Sequence, residues 1–287
     1  MMKFDLHLHT TASDGLLTAK QLVDWAAELG LSFIAITDHD SVDGIGPALE
    51  AARAHPKLRV IPGVEMSTDI AHGEIHVLGY FIDYEDAYFT TALKGLRDSR
   101  HNRGQRMLAK LAAMGMPIKW QRVLEIAGPG SIGRPHIAQA MLERGYVTSL
   151  REAFVKYIGR DGPAYAEREK MTPEEAVQFV VKARGLPVLA HPGEVEEAMV
   201  TRLVSAGLVG LEAYYNGYTS EIRERLVALA RRYGLVTTGG SDFHGLEDIG
   251  ETQPGALELP QECMEQLLAR AGDRAKQLAQ PWPGPQS

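Results

Sequence analysis

The stretch DLHLHTTASDG, residues 5–15, places Asp5, His7 and His9 at every second position and Asp14 just beyond them. Leu6 and Leu8 alternate with them. A period of two is the mark of a β-strand, whose successive side chains point to opposite faces. Asp5, His7 and His9 are therefore expected on one face and the leucines on the other. Carboxylate and imidazole on a core-directed face need partners, and a divalent cation suits both. A solvated edge strand would explain one histidine but not this set, since such clusters mark metal or catalytic sites.

The chain has 287 residues, 45% of them apolar, and a formal net charge of −7. That length suits one α/β barrel of about 250 residues or two ordinary domains. The acidic balance argues against coating long nucleic acid through a basic surface. Cys263 is the only cysteine, which rules out an intramolecular disulfide and fits a reducing compartment. MMKF runs straight into the first strand with no basic-then-apolar leader, and no apolar run reaches about 18 residues. A cytoplasmic protein is the expectation.

Strands are predicted over 3–9, 32–38, 58–67, 74–81, 186–191, 208–215 and 235–242, and helices over 18–30, 44–55, 173–184, 194–206 and 219–233. Thr18 and Gln21 have capping-box spacing, and Gly30 stops that helix. Thr172-Pro173-Glu174-Glu175 combines a cap, a first-turn proline and acids at the positive end of the helix dipole. Alternating β and α elements imply a parallel sheet, closed or open. Residues 86–171 break the pattern and read as helices only, with breaks at 114–117 and 127–135. We read 98–163 as a helical subdomain inserted into a barrel formed by 1–97 and 164–287. The tail QPWPGPQS, 280–287, has no periodicity and is expected to be loosely held.

Polar residues recur at strand ends, where barrels of this class keep their chemistry. Asp38, His39 and Asp40 follow the second strand, Glu65 lies in GVE of the third, and His76 interrupts EIHVLGY. His191 ends LPVLAH. Asp242 and His244 follow Gly239 and Gly240, glycines that permit close backbone approach. Six of the ten histidines fall on strands or at their ends, and one shared site explains this better than six accidents.

A basic stretch lies elsewhere. Between Lys94 and Arg122 there are eight Lys or Arg and one acid, Asp98. Arg97, Arg100, Arg103 and Arg106, spaced by three, are expected along one helix face. A solvated face is the ordinary explanation, but cations there also suit phosphate. Arg134 and His136 in GRPHIA open the next helix, where backbone N–H groups and a guanidinium fork both suit an anion. Asn216, past a strand end, is a further candidate. Tyr214 and Tyr215 are either core or a surface on which a base stacks.

In order, DLHLHTTASDG, ITDHD, GVE, IHVLGY, AHP and GSDFH resemble the polymerase and histidinol phosphatase (PHP) family of metal-dependent phosphoesterases, from residue 3 to about 250. RHNRGQRM and GRPHIA, in the inserted region, narrow the resemblance to 3′,5′-nucleoside bisphosphate phosphatases and related 5′→3′ exoribonucleases. The resemblance implies a distorted (β/α)7 barrel with up to three divalent ions, Mn2+ above others. Carried over, His7, His9 and Asp242 would hold one ion, and Asp14, His39 and His244 a second. His76 and His191 would hold a third, with Glu65 bridging the first and third. Asp14, His39 and His244 would also face substrate and act in catalysis, with His244 or Asp14 as donor to the leaving group. Arg100, Arg103, Arg134, His136 and Asn216 would hold the rest of the substrate.

Ions about 3.5–4 Å apart can share and acidify a water for in-line attack on phosphorus. Separate places for two anions imply two phosphates on a rigid spacer, as in a ribose phosphorylated at 3′ and 5′. The acidic net charge favours small nucleotides or short RNA over long duplexes. No protein partner or membrane is implied. Two rivals are weighed. An amidohydrolase also opens with HxH but bridges its metals with a carboxylated lysine; no predicted strand ends in lysine, and Glu65 is available. A non-enzymatic docking module of the family usually has lost ligands, whereas no motif position here departs from the pattern.

Overall fold

Seven strands form one sheet in the order of the sequence: β1 (Phe4–Leu8), β2 (Phe33–Ile36), β3 (Arg59–Ile70), β4 (Gly73–Tyr80), β5 (Leu186–Leu189), β6 (Gly210–Tyr215) and β7 (Val236–Gly240). Beyond β7, Phe243 accepts the His9 N–H at 3.0 Å and bridges Leu8 in parallel, so the sheet returns to β1. The architecture is a distorted seven-stranded TIM-like barrel. The computed structural model describes residues 2–70, 73–128, 132–167, 171–245 and 252–278. The proline-rich tail and the middle of the 127–135 break lie outside the described residues.

The helices are α1 (Ala19–Glu28), α2 (Ile45–Ala52), α3 (Ala87–Ala113), α4 (Trp120–Ala127), α5 (Arg134–Glu143), α6 (Leu150–Ala153), a π-helix (Phe154–Ile158), α7 (Pro173–Lys182), α8 (Glu197–Ala206), α9 (Ser220–Tyr233), α10 (Gln261–Ala271) and α11 (Asp273–Leu278). Both helix starts read from the sequence form, each as a capping box. Gln21 N–H donates to Thr18 Oγ1 at 3.3 Å while Thr18 N–H donates to Gln21 Oε1 at 2.9 Å. Thr172 and Glu175 do the same at 3.2 and 2.8 Å. Among the described residues, no helix is long and apolar enough to cross a membrane.

The expectation of a wholly parallel sheet fails at β4, which runs antiparallel to both β3 and β5. Two residues separate β3 from β4. A parallel crossover takes about a dozen or more, so the chain has no choice but to turn back. The reversal keeps His76 at the functional end: it pairs with Ser67, and Leu78 pairs with Glu65.

Strand alternation sorts the core into two layers. Ile34, Ile36, Val60 and Val77 pack with Leu22, Val177 and Leu203 of the surrounding helices. The intervening Ala35, Ile61, Leu78 and Val236 pack with Met264 and Leu267 of α10. Leu6 and Leu8, expected on one face, fall into different clusters, and the β1 register shifts between Asp5 and Leu8. A third cluster belongs to the helical insertion, where Met107, Leu108 and Leu111 meet Val123, Ile137 and Met141. α3 joins the bodies, since its Phe89 and Leu93 pack on the barrel. The 97/98 boundary therefore falls inside one continuous helix of 27 residues.

Candidate active site

His7 and His9 are fully buried and point at Glu65 from β3 and Asp242 from the turn after β7. His7 Nε2 lies 3.3 Å from Glu65 Oε2 and 3.1 Å from Asp242 Oδ1. His9 Nε2 lies 3.2 and 3.0 Å from the same two oxygens. Gly240 is what lets β7 come so close, because a Cβ there would sit 2.4 Å from the His7 Cβ. Asp5 does not join the group. Its carboxylate accepts main-chain N–H bonds from His7, Ser241 and Gly255 at 3.2, 3.0 and 2.8 Å, which makes it a clamp beneath the site.

A second group gathers Asp14, His39 and His244 close to His9. His244 Nε2 is 3.5 Å from Asp14 Oδ1, and the His9 and His244 rings stack at 4.0 Å. The third surrounds the other oxygen of Glu65, with His76 Nδ1 at 2.8 Å and His191 Nε2 at 3.1 Å, while His39 Nδ1 approaches Oε2 at 3.1 Å. Glu65 thus presents one oxygen to each side. Three residues at these strand ends hold a positive φ: Asp40 at 48°, His191 at 25° and Asp242 at 54°. That conformation is costly for non-glycine residues and concentrates at functional sites.

The fit to cations rests on the donor atoms themselves. His7 Nε2, His9 Nε2, Asp14 Oδ1, Glu65 Oε2 and Asp242 Oδ1 are all buried and make no hydrogen bond among the described residues, although they approach one another closely. Buried polar atoms are normally satisfied. Lone pairs that converge without aligning as hydrogen bonds are what an ion's ligands look like, and ligands at right angles about 2.1 Å from a common ion lie about 3 Å apart. The electrostatics agree. Burial alone would raise the Asp242 carboxyl, yet the imidazoles of His7, His9 and His244 hold it well below the usual carboxylate range. Burial pushes His39 down to about 3, which leaves its ring neutral with one nitrogen lone pair available.

A cavity of about 160 Å3 opens beside this cluster, walled by Asp14, His39, His76 and His244 on one side and by Arg100, Arg103 and Arg134 on the other. Arg100 Nε donates to Asp40 at 2.7 Å and its NH2 to Ser67 Oγ. Arg103 and Arg134 share the Glu74 carboxylate at 3.2 and 2.5 Å, while the buried Arg103 Nε has no hydrogen-bond partner among the described residues. The expected single arginine face divides. A spacing of three drifts around a helix of 3.6 residues per turn. Arg97 reaches Asp43 and Arg106 the Glu167 carbonyl, so only Arg100 and Arg103 of the four line the cavity.

The sequence matches the PHP domain family over residues 5–273. The chain belongs to the PHP family. A 3′,5′-nucleoside bisphosphate phosphatase of Chromobacterium violaceum is 32% identical over 274 residues, spanning 92% of this chain and 94% of that protein. The 5′-3′ exoribonuclease Rnm of Salmonella typhimurium is 35% identical over 253 residues, spanning 84% and 85%. A Bifidobacterium adolescentis structure, provisionally assigned as a metal-dependent phosphoesterase, is 30% identical and superposes with a TM-score of 0.86, covering 94% of this chain and 96% of that one. This PHP protein is accordingly a metal-dependent phosphoesterase, a hydrolase of phosphate esters.

Other sequence candidates occupy different places around the PHP site. His136 is buried and its Nδ1 accepts the Gly133 N–H at 3.0 Å; it supports the turn before Arg134 and does not line the cavity. Asn216 is half-buried in the turn after β6, also away from the cavity wall. Tyr214 packs on the α10 cluster, whereas the Tyr215 hydroxyl donates to Asp242 Oδ2 at 3.0 Å. Asp38 binds Thr10 N–H, Thr10 Oγ1 and Ser13 Oγ at 2.8, 2.8 and 2.6 Å, fixing the loop that presents Asp14. Sequence reasoning missed Glu212 and Glu74. The available signals were a carboxylate inside the otherwise apolar GLEAYY, and Glu74 two residues before His76, on the same strand face.

Proposed function

We propose that this protein removes the 3′-phosphate from 3′,5′-nucleoside bisphosphates, releasing nucleoside 5′-monophosphate and phosphate. The observation that carries the reading is the single cavity wall that joins the imidazole–carboxylate cluster to Arg100, Arg103 and Arg134. The 3′-phosphate lies at the cluster and the 5′-phosphate at the arginines, where the unpartnered Arg103 Nε awaits an acceptor. His7, His9, Asp14, His39, Glu65, His76, His191, Asp242 and His244 hold up to three divalent ions, Mn2+ by preference. When bound, these ions supply positive charge to the phosphoryl oxygens and acidify the attacking water.

The protein's own groups do the rest. Of the two candidate donors at the cavity wall, Asp14 is held well below the usual carboxylate range by His39 and His244, so His244, 3.5 Å from it, passes the proton to the departing 3′ oxygen. His39 stays neutral at pH 7 and orients substrate rather than protonating it. His136 holds the turn that presents Arg134. A second reading, 5′→3′ exoribonuclease activity on short RNA, uses the same residues on a 3′ diester and is supported by the 35% identity to Rnm. In either case the partner is a small nucleotide or short RNA, and no protein partner is needed.

The test compares 3′-phosphoadenosine 5′-phosphate, a 3′-monophosphate, a 5′-monophosphate and a 5′-phosphorylated oligonucleotide under Mn2+. The bisphosphate should turn over best and the 5′-monophosphate not at all. Arg134→Ala should raise KM for the bisphosphate about 10–100-fold, the loss of one charge-assisted hydrogen bond of about 1.5–3 kcal/mol, and leave the 3′-monophosphate nearly unaffected. Equal losses on both substrates would sink the two-anion reading.

A further inference from the structure

Glu212 is fully buried on β6 and takes no place among the ion-holding or substrate-holding residues above. A buried carboxylate requires strong partners, and Glu212 has two, one on β1 and one just beyond β5. His7 Nδ1 lies 3.0 Å from its Oε1 and 3.2 Å from its Oε2, and Oε2 accepts the main-chain N–H of His191 at 2.7 Å. The first contact sets the His7 tautomer: Nδ1 carries the proton and donates it, which leaves the Nε2 lone pair directed at Glu65 and Asp242. The second pins His191 in its left-handed backbone conformation, and the His191 ring then reaches Glu65 Oε1 at 3.1 Å from the opposite side. One carboxylate therefore steadies a donor on each side of Glu65. The Asp14–His39–His244 group has separate supports, with His39 Nδ1 3.3 Å from Ser67 Oγ and His244 Nδ1 donating to the Asp242 carbonyl at 2.8 Å.

We propose that Glu212 is a positioning residue that sets, jointly, the ion affinity of the positions built on His7 and on His191, and leaves the Asp14–His39–His244 position to be set independently. The proposal rests on the assignment of ions made under Proposed function.

Glu212→Gln keeps the shape but removes the charge: with its amide oxygen at the Oε2 position it still accepts the His191 N–H, while its N–H2 replaces Oε1, the nearer partner of His7 Nδ1. Glu212→Asp keeps the charge and withdraws it by one methylene. Each variant is purified, stripped of metal and checked by circular dichroism and thermal melting. Mn2+ is then titrated in, with the free ion followed by electron paramagnetic resonance. In Glu212→Gln the binding isotherm should split into a class weakened about 10–100-fold, the usual cost of losing a partner behind a ligand, and a class that is unchanged. Glu212→Asp should fall between this and the parent, and the metal-free melting temperature should move little. If the parent chain binds no Mn2+, the ion assignment itself has failed. If the parent binds but Glu212→Gln shows no loss, or a uniform loss at every position, the proposal is overturned. Failure of both variants to fold without metal also overturns it, because Glu212 would then hold the barrel and not its ligands.

Discussion

His7 touches three carboxylates at once, those of Glu65, Asp242 and Glu212, and has no exposure to water. Such a ring cannot be idle. Removing it leaves acids that face one another with less to balance them, and removes one of the unsatisfied nitrogens that an ion would use. His7→Ala should therefore weaken Mn2+ binding at the position that His7 helps to form, and lower turnover, by more than about 100-fold, beyond the usual cost of losing only a supporting residue. The overall fold should persist, since the strand's apolar contacts through Phe4, Leu6 and Leu8 are untouched. Elemental analysis of the purified variant beside an activity assay decides it: full metal content would mean that His7 is not a ligand.

At the scale of elements, the β3–β4 hairpin and α3 do most to shape the site. The 12 residues of β3 run beyond the four of β2. The overhang carries β4 with it, so that Glu74 at the start of β4 meets Arg103 and Arg134 from the insertion. α3 arrives from the barrel and delivers Arg100 and Arg103 into the cavity before ending in the insertion's own core. That core should be separable from the barrel in stability. Leu111→Ala, at a fully buried position of the insertion, should cost about 2–5 kcal/mol locally. Hydrogen exchange should speed up through the helices of the insertion while β1, β2 and β7 stay protected and Mn2+ content holds. Uniform acceleration across the barrel would show one cooperative unit instead.

For the whole molecule, the relevant balance is between protons and metal. Burial disfavours the charged His7 ring, but Asp242, Glu212 and Glu65 outweigh it and raise its proton affinity well above that of an ordinary histidine. An imidazole must lose that proton to coordinate. The sign follows. Stability lent by a bound ion is fullest at alkaline pH and is lost as pH falls, beginning above the usual histidine range. An ion present at 100 times its dissociation constant contributes about 2.7 kcal/mol. The melting temperature should therefore drop on acidification from pH 8 to 6 with Mn2+ present, and much less in chelator. Identical slopes with and without metal would contradict the coupling.

The sequence alone determined the barrel class, the strand ends on which chemistry collects and the identities of the clustered histidines and acids, because a period of two and the capping signals are local properties. It also carried the family resemblance, since HxH, TDHD and GSDFH survive as short contiguous words. The direction of β4 was legible in principle, from the two residues before it, but was masked by the alternation on either side. Only the tertiary structure decided that Asp5 is a backbone clamp, that two of four evenly spaced arginines reach the cavity, and that Glu212 stands behind His7 from 205 residues away. The physical reason is the same in each case. Pattern gives the face on which a side chain lies, but its partner is set by the register between strands distant in the chain and by the closure of the sheet, and neither is encoded in any short window.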